Sequence, residues 1–159
     1  MATIRKEMHL NAPVAKVWSA LADFQNVHTR LAPGFVVESK PEGENVRSIK
    51  FANGSTVKES LVTLDEKRHR LVYVVTSERI AHHNASAEIV ADGAERCRFI
   101  WTTDILPDHL APYIDSQMTE GAKAMKTALE RTWLEANAET RRDDDRPEIE
   151  DERQHAGGK

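Results

Sequence analysis

The stretch that decides the fold is NVRSIKFANGSTVKESLVTL, residues 45–64. Arg47, Ile49 and Phe51 fall on one side of an extended chain and Val46, Ser48 and Lys50 on the other, because side chains alternate along a strand. Past Asn53-Gly54 the alternation resumes, with Val57, Glu59, Leu61 and Thr63 set against Lys58, Ser60 and Val62. The first set in each strand is the more apolar and is assigned to the interior. A two-residue turn at Asn53-Gly54 would place odd-numbered residues opposite even-numbered ones and break that match. A three-residue loop, Ala52-Asn53-Gly54 with Gly54 left-handed, restores it and sets Arg47 opposite Glu59 and Ile49 opposite Val57. The hairpin is therefore expected to carry an inward-facing ion pair, since an inward charge without a partner would be expensive.

The same strand-and-turn pattern extends on both sides. Turn signals at 41–45, 52–54, 65–70, 81–84 and 92–95 divide the region 35–105 into six expected strands, at 35–40, 45–51, 55–64, 71–78, 85–91 and 96–105. Residues 3–10 suit a seventh, and the short connections make the pairing mostly antiparallel. After the first strand, Pro13 is expected at the first helical position, and Val14, Val17, Trp18, Leu21 and Phe24 recur at helical spacing. A second short helix is expected to reach Arg30, before Pro33-Gly34.

The longest helix comes last. Leu110, Ile114, Met118, Ala122, Met125, Leu129 and Trp133 recur every three or four positions, to about Glu139. Its stripe is uneven, because Gly121, Ala122 and Ala124 lie between two methionines where a filled core would carry Leu and Ile. That suits an irregular or partly empty interior. From Arg141 onward, five basic and seven acidic residues leave only Ile149 and Ala156 as apolar groups. Residues 141–159 are therefore read as a charged, disordered tail, and residues 1–140 as one α+β domain.

Composition excludes several function classes. The chain has 159 residues, of which 40% are hydrophobic and 30% charged, and its net charge of −4 argues against a nucleic-acid partner. One cysteine, Cys97, excludes an internal disulfide framework and a cysteine-based zinc site. No apolar run approaches the about 18 residues of a membrane span, and no secretory signal is visible, so a cytoplasmic location is expected. Seven histidines show neither His-x-His nor His-x-x-x-His spacing, and adjacent His82 and His83 would point to opposite faces of a strand, so no metal is expected. His83 is read as a surface-loop histidine, with a place at a cavity mouth as acid or base as the alternative, and Cys97 as an inert buried thiol. There is no Gly-x-Ser-x-Gly elbow and no phosphate-binding glycine loop, hence no expected cofactor and no catalytic motif.

Leu10-Asn-Ala-Pro13, then Val17-Trp18, Leu21 and Asp23-Phe24, looks like the opening signature of a known superfamily. Gly43, Arg47, Asn53-Gly54, Glu59-x-Leu61 and Leu71-x-Tyr73 match its midsection in order, and Trp101 and Pro107 precede the long helix. Over about residues 3–138 the chain resembles the START/polyketide-cyclase (SRPBCC, helix-grip) superfamily. The resemblance implies a helix-grip fold: a seven-stranded curved antiparallel sheet wrapped around the C-terminal helix, with two short helices after the first strand. It also implies an apolar cavity for a small hydrophobic ligand such as a lipid, polyketide or aromatic compound. Strand parity and the helix stripe nominate Arg47, Ile49, Phe51, Val57, Glu59, Leu61, Tyr73, Val75, Phe99, Trp101, Met118 and Met125 as ligand-binding residues. The alternative is a cyclase, aromatase or dehydratase using Arg47, Glu59 and Tyr73 in the same cavity. A protein-interaction module is a third reading, with a monomer or homodimer expected in each case. The fold alone does not choose among them.

Overall fold

The computed structural model describes residues 1–147. Seven strands are present: β1 (Ala2–Leu10), β2 (Val36–Gly43), β3 (Val46–Phe51), β4 (Thr56–Asp65), β5 (Arg70–Thr76), β6 (His82–Ala91) and β7 (Cys97–Leu106). They form one sheet in the order β1-β7-β6-β5-β4-β3-β2, and every neighbouring pair is antiparallel. The sheet curves around the long helix α2 (Ala111–Asp144), and a short helix α1 (Val14–Ala22) follows β1. Between sheet and helices lies one apolar cluster that includes Leu10, Val17, Ile49, Leu71, Phe99 and Ile105. The architecture is the α+β helix grip that the sequence resembles.

The β3–β4 hairpin has the expected register. Arg47 pairs with Glu59 and Ile49 with Val57, while Phe51 and Ser55 close a loop of Ala52, Asn53 and Gly54. Gly54 sits at φ +88°, a conformation that strongly favours glycine. Arg47 and Glu59 are 6% and 4% exposed, so the pair is buried, and its Nη2–Oε2 distance is 3.1 Å. Edge strand β2 carries Pro41 and two register shifts, features that blunt an edge against further pairing.

Several expected boundaries move. Pro13 is the N-cap of α1, not its first helical residue: its ψ of 153° is extended, and its carbonyl accepts from the N–H groups of Lys16 and Val17. The second helix is a 3-10 turn at Phe24–Asn26 followed by a π-helical turn at Val27–Leu31. Arg30 clamps that irregular segment by donating to the Ser19 carbonyl and hydroxyl and to Asp23. β6 begins at His82 rather than at residue 85, and β5 ends at Thr76 rather than at 78.

Helix α2 runs to Asp144, past the expected end at Glu139 and four residues into the segment read as tail. Its apolar stripe ends near Trp133, and the turns beyond are exposed. They are rich in Ala, Glu and Arg, so intrinsic propensity carries the helix where packing no longer does. The rest of that segment from residue 148 lies outside the described residues. The stripe itself is less empty than expected at Gly121. A Cβ there would lie 3.0 Å from Phe35 Cε1 and 3.2 Å from Trp101 Cζ3, so glycine marks the point where helix and sheet touch.

The buried pair gives a test of what holds the β3–β4 register. Arg47→Met leaves Glu59 a buried charge without its partner and should cost about 3–5 kcal/mol in urea unfolding. The double variant Arg47→Met/Glu59→Leu should recover most of that loss. A double variant no more stable than the single one would show that the pair is not the source of the cost.

Candidate functional site: an apolar cavity with a charged floor

Between the inner face of the sheet and α2 lies a cavity of about 420 Å³. This is within the about 300–1,000 Å³ of small-molecule sites. Eleven of the twelve nominated residues line it. From the sheet come Arg47, Ile49, Phe51, Val57, Glu59, Tyr73, Val75, Phe99 and Trp101, and from α2 come Met118 and Met125. Leu61 does not line it. The residue pairs with Tyr73 just before the bulge between Leu61 and Thr63 and packs, partly buried, against the apolar core.

Arg47, Glu59 and Tyr73 gather at one place because β3, β4 and β5 are adjacent and their inward faces coincide. The Arg47 guanidinium lies 3.8 Å above the Phe24 ring and donates through Nη1 to the Phe24 carbonyl. Through Nη2 it donates to Glu59 Oε2, while its buried Nε–H has no partner among the described residues. The Tyr73 ring is 5.8 Å from the guanidinium, and its hydroxyl accepts a hydrogen bond from Trp101 Nε1 at 3.2 Å. Burial, reinforced by the Glu59 carboxylate, pushes the Tyr73 phenol well above its ordinary range. Tyr73 is thus a neutral hydrogen-bonding group, and a poor base at physiological pH.

Further cavity residues escaped the sequence reading. Leu21, Val27, Leu31 and Phe35 come from the segment between β1 and β2, Leu110, Tyr113, Ile114 and Gln117 from the start of α2, and Ser77, Arg79 and Ile80 from the β5–β6 connection. Leu21, Leu110 and Ile114 belong to the apolar helix stripes read from the sequence but are not among the nominated residues. Tyr113 and Gln117 flank the α2 stripe, and the rest lie in irregular turns and loops, which carry no periodic signal. For His83 the structure favours the cavity-side alternative over the surface-loop reading. It lies in β6, half-buried against the cavity with its ring 5.9 Å from Tyr73, and is not a surface-loop residue. Its Nδ1 accepts the Val75 N–H at 3.0 Å.

The remaining chemistry lies elsewhere. Asp104 accepts from the Thr3 hydroxyl across the β1–β7 pair, away from the cavity. Cys97 is buried, and burial pushes its thiol up to about 11, so it stays protonated. Among the described residues no three His, Cys, Asp or Glu side chains gather to hold a metal. No helix among them is long and apolar enough to cross a membrane.

Burial, with His82 alongside, holds the His83 imidazole at about 4, below the ordinary 6.5. The folded protein therefore keeps His83 neutral where the unfolded chain would take up a proton. Stability present at neutral pH is lost as pH falls through about 6.5 toward 4. The His83→Asn variant keeps an acceptor for the Val75 N–H but cannot titrate. Urea midpoints at about pH 7 and about pH 5 should differ less in this variant than in the wild type. An unchanged difference would remove His83 as a cause of the pH dependence.

Comparison with known proteins agrees with this geometry. No curated protein matches the chain. Among solved structures, a Thermobifida fusca protein is 28% identical, with a TM-score of 0.67 over 84% of this chain and 93% of its own. Norcoclaurine synthase from Thalictrum flavum, solved with dopamine and hydroxybenzaldehyde, is 16% identical, with a TM-score of 0.67 over 84% of this chain and 87% of its own. A START superfamily protein from Mycobacterium smegmatis is 12% identical, with a TM-score of 0.65 over 84% of this chain and 98% of its own. The family model described as polyketide cyclase/dehydrase and lipid transport matches residues 1–147. A curved sheet gripping a helix around an apolar cavity, together with that match, places this chain in the polyketide cyclase/dehydrase and lipid transport family.

Proposed function

We propose that this domain binds one small hydrophobic molecule in the cavity, with a polar atom of that molecule directed at Arg47, Glu59 and Tyr73. The observation that carries the reading is the combination of an apolar cavity of about 420 Å³ with a single charged pair in its wall. Burying about 300 Å² of apolar ligand surface, at roughly 25 cal/mol per Å², supplies about 7.5 kcal/mol before the costs of association. Converted without those costs it would be a dissociation constant of a few micromolar, so micromolar is the tight limit for apolar burial alone. The polar contacts then set orientation. Arg47 Nε–H is a donor in need of an acceptor, and Glu59 gives only Oε2 to Arg47, leaving Oε1 able to accept. A hydroxyl, which accepts and donates at once, fits both.

The second reading is a cyclase or dehydratase, favoured by a carboxylate, Glu59, and a phenol, Tyr73, in the wall of the same cavity. The structurally similar norcoclaurine synthase is an enzyme with aromatic ligands. Against this reading, Arg47 already spends its two Nη groups on Glu59 and on the Phe24 carbonyl. It is therefore less available to stabilise a developing oxyanion.

Titration with the uncharged dye N-phenyl-1-naphthylamine tests the binding reading. One equivalent should bind with a dissociation constant between micromolar and submillimolar. Filling the cavity from the sheet by Val75→Trp, or from the helix by Ile114→Trp, should weaken binding about tenfold or more. Two blocks on opposite walls guard against one of them failing to fold. Absence of dye binding, or binding indifferent to both blocks, would contradict the proposal.

A further inference from the structure

The cavity has a second polar region, at the far end of strands β5 and β6. These strands pair from Arg70–Glu88 to Tyr73–Ala85, and there the ladder stops. Two residues further along β5, the Val75 N–H turns to the His83 imidazole instead of to a β6 carbonyl. The strands diverge, the histidine ring fills the gap, and the connection beyond brings Ser77, Arg79 and Ile80 into the cavity wall. Within this connection the Arg79 N–H donates to Ser77 Oγ at 3.3 Å and the Ile80 N–H to the Ser77 carbonyl at 3.2 Å.

The charges along the cavity wall are uneven. Arg47 and Glu59 cancel each other, and His83 is neutral at physiological pH. Arg79 remains as the net charge of the lining, and among the described residues no carboxylate lies within 4.0 Å of its guanidinium. The cavity is thus cationic at this end in a chain whose net charge is −4. The other polar groups that line this end have the same character, while their acidic neighbour Glu78 is exposed and outside the lining. With Nδ1 accepting from Val75, the proton of the neutral His83 ring sits on Nε2, a donor with no protein partner among the described residues. Ser77 Oγ accepts from Arg79 N–H, which leaves its own hydrogen free to donate. A guanidinium, an imidazole N–H and a hydroxyl, with no acidic side chain among them, call for an acceptor-rich, negatively charged group.

We propose that Ser77, Arg79 and His83 form an anion subsite at the rim of the cavity, so that the ligand is an amphipathic acid. Its apolar body fills the cavity, and its carboxylate, sulfonate or phosphate group stays at the rim against Arg79. This rests on the cavity-binding reading above and adds the chemical class and direction of the ligand. Arg79 is exposed, so solvent screens its charge and its effect on affinity is moderate.

Two dyes that share an aromatic body test the subsite on the full chain. The sulfonate dye 1-anilinonaphthalene-8-sulfonate should bind about fivefold tighter or more than uncharged N-phenyl-1-naphthylamine. Arg79→Gln, an exposed substitution, should weaken the sulfonate dye about fivefold to tenfold and shift the uncharged dye less than twofold. Equal effects on both dyes, or a sulfonate dye indifferent to Arg79, would overturn the anion subsite while leaving uncharged binding in the cavity intact. If neither dye binds, or if binding ignores Val75→Trp and Ile114→Trp, the cavity reading falls and the subsite falls with it.

Discussion

The ion pair between Arg47 and Glu59 is the constraint on which the interior depends. It lies across the β3–β4 ladder, and register there is a matter of single residues. A slip of β3 by one would turn Arg47, Ile49 and Phe51 outward and bring Lys50 toward the cavity. A slip of β4 would likewise turn Val57 and Glu59 outward and bring Lys58 inward. Such pairs contribute little net stability, because desolvation offsets most of the Coulombic gain. Their effect here is to exclude alternatives. The pair also places a charged, hydrogen-bonding group in the wall of a largely apolar cavity.

A hollow interior requires walls held apart, and the packing shows how. Gly121 lets α2 press onto Trp101 and Phe35 at one point. On either side of that contact Met118 and Met125 border the open volume, and flexible thioethers tolerate irregular surroundings. At the other end, the sheet opens where β5 and β6 part and His83 satisfies the backbone group that the ladder leaves behind. Cavity walls, floor and rim thus come from three local devices: a glycine contact, a buried ion pair, and a side chain standing in for a strand.

How much of this was legible in the sequence depends on periodicity. The β3–β4 hairpin, its three-residue loop and the Arg47–Glu59 pairing followed from alternation and one glycine, and eleven of twelve nominated lining residues line the cavity. Leu61 shares the inward face but packs against the filled core rather than the open volume, a distinction that strand parity does not carry. Gly121 was read as a sign of emptiness because its partners, Phe35 and Trp101, are remote in sequence. The rim residues Ser77, Arg79 and His83 lie where a strand ends early and a loop folds inward, a tertiary event without a local pattern. His83 also shows how a residue placed in a loop by turn signals can be captured by a strand that begins three residues sooner.

The central claim is that this interior exists to hold a molecule. Native mass spectrometry of the freshly purified full chain is the most direct measurement. The account predicts a complex carrying one small, apolar, acidic molecule per chain, released on stronger activation and missing from the Val75→Trp variant. A wild-type chain that appears only at its bare mass, and stays so after incubation with long-chain carboxylic and aromatic acids, would contradict it.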